Sequence, residues 1–536
     1  MSTDRPIAVV VPNGRSRAAA ERVSEQRLKR REVLLVIGSA PAISVCGIRE
    51  DAGHQPAGTL SGVQAVEGCS NIQKEGNRTL PEKQNDFSKG SIPRNIMSLA
   101  VPMTAAQLVN VLYSVVDRIY LGHLQASDHL ALTGIGVTMP IISIIMGFAN
   151  LCGTGGAPLC SIDRGKGDNE EAERVMGNAF VLLISLGLGV TAFFLALKGP
   201  ILYLFGASPD TFPYADDYMT IYLCGTLFVM VSLGMNPFIN AQGFGRIGMM
   251  TVALGAAVNI ALDPVFIFLF DMGVKGAALA TIISQGLSAV WVLAFLMGRR
   301  AILRLRRACL RLDARRTKQI VALGLSGFFM NMTNSLVQVV CNATLQAYGG
   351  DLYVGVMTII NSLREVFFMP VHGLTNGSQP VQGFNYGARK YSRVREAIRF
   401  SVGVTVLYAA LFWAAAMAFP GLLIRVFNDT PEVIAAGIPA LRIYFALFIL
   451  MSLQMAGQGV FVGLGRSKQA VFFSLLRKAI INAPLTVLLP LWGMGTTGVF
   501  VAEAVSQLIG GLACFITMYF TVYRPLGQLQ DGGPMR

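Results

Sequence analysis

The segment Asn259-Ile-Ala-Leu-Asp263-Pro264 has the residue types and spacing best suited to chemistry. Asn259 and Asp263 are four residues apart, so on a helix they share a face, one turn from each other. Pro264 has no amide hydrogen, which leaves the Ile260 carbonyl without its helical donor. A carboxylate, an amide oxygen and a loose carbonyl together suit a proton or a hard cation such as Na+. The alternative is that Asp263 caps a kink near the outer surface. Asp117, in Tyr113-Ser-Val-Val-Asp117-Arg118, is a second candidate, with Tyr113 one turn below it on the same face. An ion pair at the membrane interface accounts for Asp117 as well as a binding role does. Arg364, Glu365, Arg477, Lys478 and Glu503 form a third group. They either pair with one another across helices or line an aqueous cavity.

What makes these residues notable is their surroundings. Of 536 residues, 53% are hydrophobic and only 14% are charged, against about a quarter charged in soluble proteins. So few charges cannot keep the surface of a chain this long wet, and most of that surface must face lipid. Apolar runs of spanning length fall at 94–121, 131–160, 175–197, 213–241, 247–270, 275–298, 318–345, 353–377, 396–419, 434–461, 469–491 and 497–523. They lack the alternation of barrel strands and are far longer, so they are predicted to be helices. An ionisable residue inside such a helix is a functional candidate by default.

The basic residues orient these helices. Arg164, Lys166, Arg174, Arg246, the stretch from Arg299 to Lys318, Arg389 to Arg395, and Arg466 with Lys468 all fall in alternate connections. The intervening connections carry few cations. This positive-inside pattern predicts cytoplasmic N- and C-termini in a cell (inner) membrane. The net charge of +14 is therefore a matter of topology. No aromatic-interleaved basic pattern suggests nucleic acid.

The chain divides around these runs. Residues 1–88 hold charge clusters, Gly, Ser, Gln and Asn, and one apolar stretch, Val33–Val45, too short to span. They are expected to form a disordered cytoplasmic tail that is dispensable, since the spanning sequence begins only near Asp86. A six-helix bundle over 89–298, a basic linker over 299–317, a second six-helix bundle over 318–526 and a short tail over 527–536 complete the expected organisation. The halves are related in sequence at about 222 residues. Pro158 and Gly165 recur as Pro380 and Gly387, Tyr222 as Tyr444, and Ser284-Gln285 as Ser506-Gln507. With a two-residue slip, Pro264 recurs as Pro484. The fold class expected is thus an all-α membrane protein of twelve transmembrane helices in two pseudo-symmetric six-helix bundles. Paired repeats of this kind rock against each other in alternating-access transporters.

Several chemistries find no support. The eight cysteines are scattered with no CxxC pair, and the four histidines are far apart, so no metal cluster is expected. No HExxH, GxSxG or Walker A motif occurs, so neither an enzyme nor an ATP-driven pump is indicated, and no cofactor is expected. The energy source expected is an ion gradient.

From Asp86 to Leu526 the chain resembles the multidrug and toxic compound extrusion (MATE) family, in its bacterial branch. The motifs are Leu99-Ala-Val-Pro102 with Tyr113-Ser-Val-Val-Asp117, Asn259-Ile-Ala-Leu-Asp263-Pro264, Gln379-Pro380-Val-Gln-Gly383-Phe-Asn-Tyr-Gly387-Ala388 and Gly463-Leu-Gly465-Arg466. The resemblance implies an antiporter that exports organic, often cationic and amphipathic compounds in exchange for H+ or Na+. It also implies a cation- and substrate-linked site in the N-terminal half, made here by Tyr113, Asp117, Tyr218, Asn259, Asp263 and Thr281. Na+ would lie among Asp117, Asn259, Asp263 and Thr281, and Pro264 would bend as the site changes charge. Another branch of the family uses acids in its seventh and eighth helices, but the run 318–345 contains none. The rival reading is a lipid-linked oligosaccharide flippase of the same superfold, which would need a basic cavity for pyrophosphate. Arg364, Arg477 and Lys478 could supply one.

Overall fold

The computed structural model describes residues 8–10, 34–39, 42–47, 86–122 and 129–533, with side chains in 86–113, 116 and 134–533. It divides into two units, residues 1–81 and 82–536. In the first unit, three short strands, β1 (Ala8–Val10), β2 (Leu34–Ser39) and β3 (Ala42–Gly47), form a sheet of order β1-β2-β3. β1 and β2 are parallel, β2 and β3 antiparallel. The apolar stretch Val33–Val45 thus supplies most of a strand pair rather than featureless tail. Residues 86–88 also depart from that expectation: Phe87 is buried and the Ser88 amide donates to Asp86 at 3.0 Å. The packed part thus starts before residue 89, while the remaining residues of the expected tail fall outside the described residues.

Among the described residues the second unit is entirely helical. In chain order its helices are α1 (Ile92–Gly122), α2 (His129–Gly165), α3 (Asn169–Leu204), α4 (Phe212–Cys224), α5 (Thr226–Ala241), α6 (Gly245–Pro264), α7 (Gly273–Met297), α8 (Ala314–Gly387), α9 (Tyr391–Ala418), α10 (Pro420–Arg425), α11 (Pro431–Phe445), α12 (Phe448–Gly463), α13 (Ser467–Leu475), α14 (Ala483–Leu489) and α15 (Gly495–Met518). Eight segments among the described residues are long and apolar enough to cross a membrane. The count is ten if the bent pairs α4–α5 (57°) and α11–α12 (43°) each make one span. Their outward faces carry residues such as Leu188, Phe193, Val290, Leu407, Leu411 and Trp492, a surface stable only against lipid. The chain is a multi-pass membrane protein.

Two of the eight segments are too long for one crossing. α8 has 74 residues, about 110 Å at 1.5 Å per residue, against a hydrocarbon core of about 30 Å. It is interrupted at Gly350, where φ is 62° and ψ −163°. Only a residue without a Cβ adopts this backbone readily. The stretch Ser467–Leu526 is likewise broken, at Gly493 (φ 91°) and Gly495 (φ 53°). π-helical turns follow α6 at Val265–Leu269 and α13 at Leu476–Asn482.

Packing separates two main cores, one drawn from residues between Ile135 and Ile320, the other from residues between Val337 and Phe500. The basic linker between them is docked, not loose. Asp313 caps α8 by accepting from the Arg316 amide at 2.9 Å, and Arg316 forks onto both oxygens of Glu171 on α3 at 2.8 Å each. Glu173 accepts from the Arg304 amide at 2.9 Å and pairs with Arg306 at 3.0 Å.

The halves meet along a seam of glycines. A Cβ added to Gly165, the last residue of α2, would collide with the Phe384 carbonyl oxygen, and one added to Gly387, the last residue of α8, with the Ile162 carbonyl oxygen. These two contacts are related by the sequence repeat. Gly155 against Ile320 and Gly324 against Leu151 extend the same close approach. Phe87, just before α1, is held at this end too. Its carbonyl accepts from Asn385 and Arg393 at 3.0 Å each.

Candidate functional site

α6 carries its small and polar residues at intervals of four. Thr251, Gly255, Asn259 and Asp263 are all buried, forming one stripe along a single face. The stripe faces α7, whose Thr281, Ser284 and Ser288 follow at intervals of three and four and are buried as well. Ser288 Oγ donates to the Thr251 carbonyl at 3.1 Å. Asn259 Nδ2 reaches Asp263 Oδ1 at 3.3 Å and Thr281 Oγ1 at 3.4 Å. Thr281 Oγ1 donates in turn to the Ala277 carbonyl at 3.0 Å, which leaves its lone pairs facing Asn259. Asp263 is 0% exposed and Asn259 1%. The Asn259 Oδ1 atom is buried without a hydrogen-bond donor among the described residues.

Asn259, Asp263 and Thr281, expected together from the sequence, are therefore joined by direct contacts. Pro264 ends α6, and the π turn that follows is closed by Phe270 N–H donating to the Val265 carbonyl at 2.9 Å. Tyr218 is buried on α4 and stacked on Tyr222 with ring centroids 6.0 Å apart. Asp117 lies in α1, but its side chain is outside the described residues.

The same stripe forms part of the wall of a cavity of about 280 Å³ between the two halves. Thr251, Gly255, Ser284 and Ser288 line it, as does Tyr113 of α1. Asn259 lies one turn beyond Gly255. Much of the polar wall consists of amides: Asn110, Asn150, Asn236 and Gln285 from the first half, Asn376 and Gln379 from the second. No Asp, Glu, Lys, Arg or His is among the described lining residues. Sequence reasoning quoted Gln285 and Gln379 as motif residues but missed the amide wall. The available signal was the number of amides inside apolar runs, each of which needs a polar partner in lipid.

In the second half, Glu503 on α15 accepts from Arg477 at 3.3 Å, Lys478 at 3.1 Å, Gln507 at 3.4 Å and Asn482. Arg364 on α8 donates to the Tyr444 hydroxyl at 3.1 Å. The structure thus brings Arg364, Arg477, Lys478 and Glu503 into one region and leaves Glu365 exposed, with no ion pair among the described residues. A cavity of about 10 Å³ adjoins Arg364, Tyr444, Lys478 and Glu503. It is the size of one water and too small for a pyrophosphate. Among the described residues, no group of three or more His, Cys, Asp or Glu side chains could hold a metal ion.

A duplicated helical membrane protein with a polar cavity between its halves belongs to the class of membrane transporters. The match to known families is specific: the MatE family model covers residues 102–265 and 327–488. The chain belongs to the MatE family, whose members are transporters and not enzymes. It is 25% identical over 438 residues to multidrug export protein MepA of Staphylococcus aureus strain MSSA476, covering 81% of this chain and 95% of the relative. MepA of Staphylococcus haemolyticus is 26% identical over 440 residues, covering 82% and 94%. Among solved structures, a MATE protein in complex with MaL6 superposes with a TM-score of 0.78 at 21% identity, covering 84% of this chain and 100% of that one. A MOP superfamily transporter from Pyrococcus furiosus, described as having a binding pocket of reversed polarity, gives 0.77 at 21% identity, covering 83% and 99%. These two likenesses establish the fold.

Proposed function

We propose that this chain is a secondary antiporter that exports organic, often cationic and amphipathic compounds in exchange for inward H+ or Na+. The observation that carries the proposal is Asp263, a carboxylate with no exposure inside a spanning helix, hydrogen-bonded to Asn259 on a stripe that leads to a cavity between the halves. A buried acid in lipid is costly and is kept where a proton or cation must bind. The cavity volume suits a small organic molecule, and the multidrug export relatives support that class of cargo.

In this reading twelve helices make two six-helix bundles. The breaks at Gly350 and near Gly493 each turn one long segment into two spans, and each bent pair counts as one. Both termini are cytoplasmic and the chain sits in the cell membrane, a topology that the positions of the basic connections support. The coupling site is Asp263 with Asn259 and Thr281, completed by Asp117, Tyr113 and Tyr218, as in the bacterial branch with its acidic site in the N-terminal half. Two ionised carboxylates would repel in a dry site, so arrival of a cation or proton neutralises it. That change alters the hydrogen bonds of Asn259 and the bend at Pro264. The π turn after Pro264 is the element able to pass it to the cavity wall.

The test is drug efflux from proteoliposomes with pH and Na+ gradients imposed separately. Asp263→Asn should abolish ion-coupled efflux while the protein still elutes as a folded species. Wild-type coupling in that variant would sink the assignment. The size of the second-half cavity disfavours the flippase reading.

A further inference from the structure

The polar cluster of the second half has more cations than it can use. Arg477 is 5% exposed, Lys478 3% and Glu503 4%. The Glu503 carboxylate already accepts from four side chains, which fills its lone pairs. Arg364 makes its hydrogen bond to the neutral Tyr444 hydroxyl and reaches no carboxylate at ion-pair distance among the described residues. Glu365, the next acid on α8, lies exposed. Three cations therefore share one saturated carboxylate within the spanning region, where an uncompensated charge costs several kcal/mol.

The space beside them fits a counter-ion. The cavity of about 10 Å³ is lined by Arg364, Lys478, Tyr444, Asn334, Gln338 and Asn361, with Val337, Cys341, Met357 and Val499 as its apolar part. Each of the six polar residues carries a side-chain donor that suits an anion. Glu503 also borders it, but its charge is spent on Arg477 and Lys478. The volume admits about one water-sized occupant, which excludes phosphate and sulfate.

We propose that this cavity binds one small monovalent anion of about the size of chloride, as counter-ion to Arg364, with Lys478 beside it. The site lies in the second half, away from Asp263, and its occupancy does not depend on the exchange reaction.

Equilibrium binding of radiolabelled chloride to the purified full chain in detergent tests this, together with thermal unfolding in chloride and in gluconate at equal ionic strength. We expect saturable binding of about one chloride per chain, competed by bromide and not by sulfate, and a higher unfolding midpoint in chloride. Arg364→Gln should weaken binding at least tenfold and make the two midpoints coincide. Should that variant not purify folded, Asn361→Leu, which removes a donor without changing charge, should weaken binding in the same direction. Asp263→Asn should bind chloride as the wild type does, which separates this site from the exchange site. Absence of saturable binding with equal midpoints in wild type overturns the proposal, as does tighter binding of sulfate than of chloride.

Discussion

The two halves solve the same positional problem with opposite charge. Thr281 and Glu503 stand about 222 residues apart, three residues before the repeated Ser-Gln pairs at 284–285 and 506–507. In the first half the site opposite α7 holds Asn259 and a fully buried Asp263. In the second half the acid has moved to the helix equivalent to α7, and the neighbouring stretch supplies Arg477, Lys478 and Asn482. Both stretches contain a π turn beside the repeated proline, after Pro264 in one half and before Pro484 in the other. The sequence repeat keeps these positions in register while their charges differ. In the proposed function the first half meets a cation from outside, whereas the second half already pairs its acid with its own cations.

Stability measurements can break or sharpen this contrast. The largest effect should come from Glu503→Gln, which leaves Arg477 and Lys478 buried without their carboxylate. A loss of about 3–5 kcal/mol is expected, read as a sharp fall in the detergent unfolding midpoint. A shift near zero would mean that the cluster is not closed to water. Adding Lys478→Met to Glu503→Gln should recover part of that loss, with a coupling energy of about 1–3 kcal/mol in a double-mutant cycle. Additive effects would show that the two side chains do not interact. Thr281→Val, which removes a neighbour of Asn259, should cost about 1 kcal/mol and shift the ion concentration needed for half-maximal efflux. The smallest stability change is expected for Asp263→Asn, within about 1 kcal/mol, although its transport loss should be the most complete. If Asp263→Asn instead unfolds the protein, the first-half acid is structural and the contrast fails.

Much of this was legible in the sequence, for reasons that also explain the gaps. Apolar runs report lipid exposure directly, so the runs 175–197 and 247–270 fall within observed helices with little adjustment. The N-x-x-x-D spacing placed Asn259 and Asp263 on one face because helix geometry alone decides that. Thr281 came from the family resemblance, since nothing local marks a threonine as the partner of an asparagine 22 residues earlier. The run 213–241 gave no sign of the 57° bend between α4 and α5. The bend falls at Gly225, where a Cβ would run into Ile282 of α7, a contact distant in sequence. The amide wall was missed because each Asn or Gln is unremarkable alone, and only packing brings those of the two halves to one cavity. Pairing of Arg477 and Lys478 with Glu503 was one of two open readings, and Arg364 beside a tyrosine was in neither.

The glycine seam has a mechanical consequence. At Gly165 and Gly387 each half offers a bare backbone where the other presents a carbonyl oxygen, so adhesion there comes from dispersion and is lost within an ångström of separation. Beside the first point the Arg164 guanidinium of α2 lies over the Phe384 ring of α8, 5.0 Å from its centroid, and adds a longer-reaching contact. Both points join the same two helices, since Gly165 ends α2 and Gly387 ends α8. In the proposed transport cycle the two points should therefore part and close together.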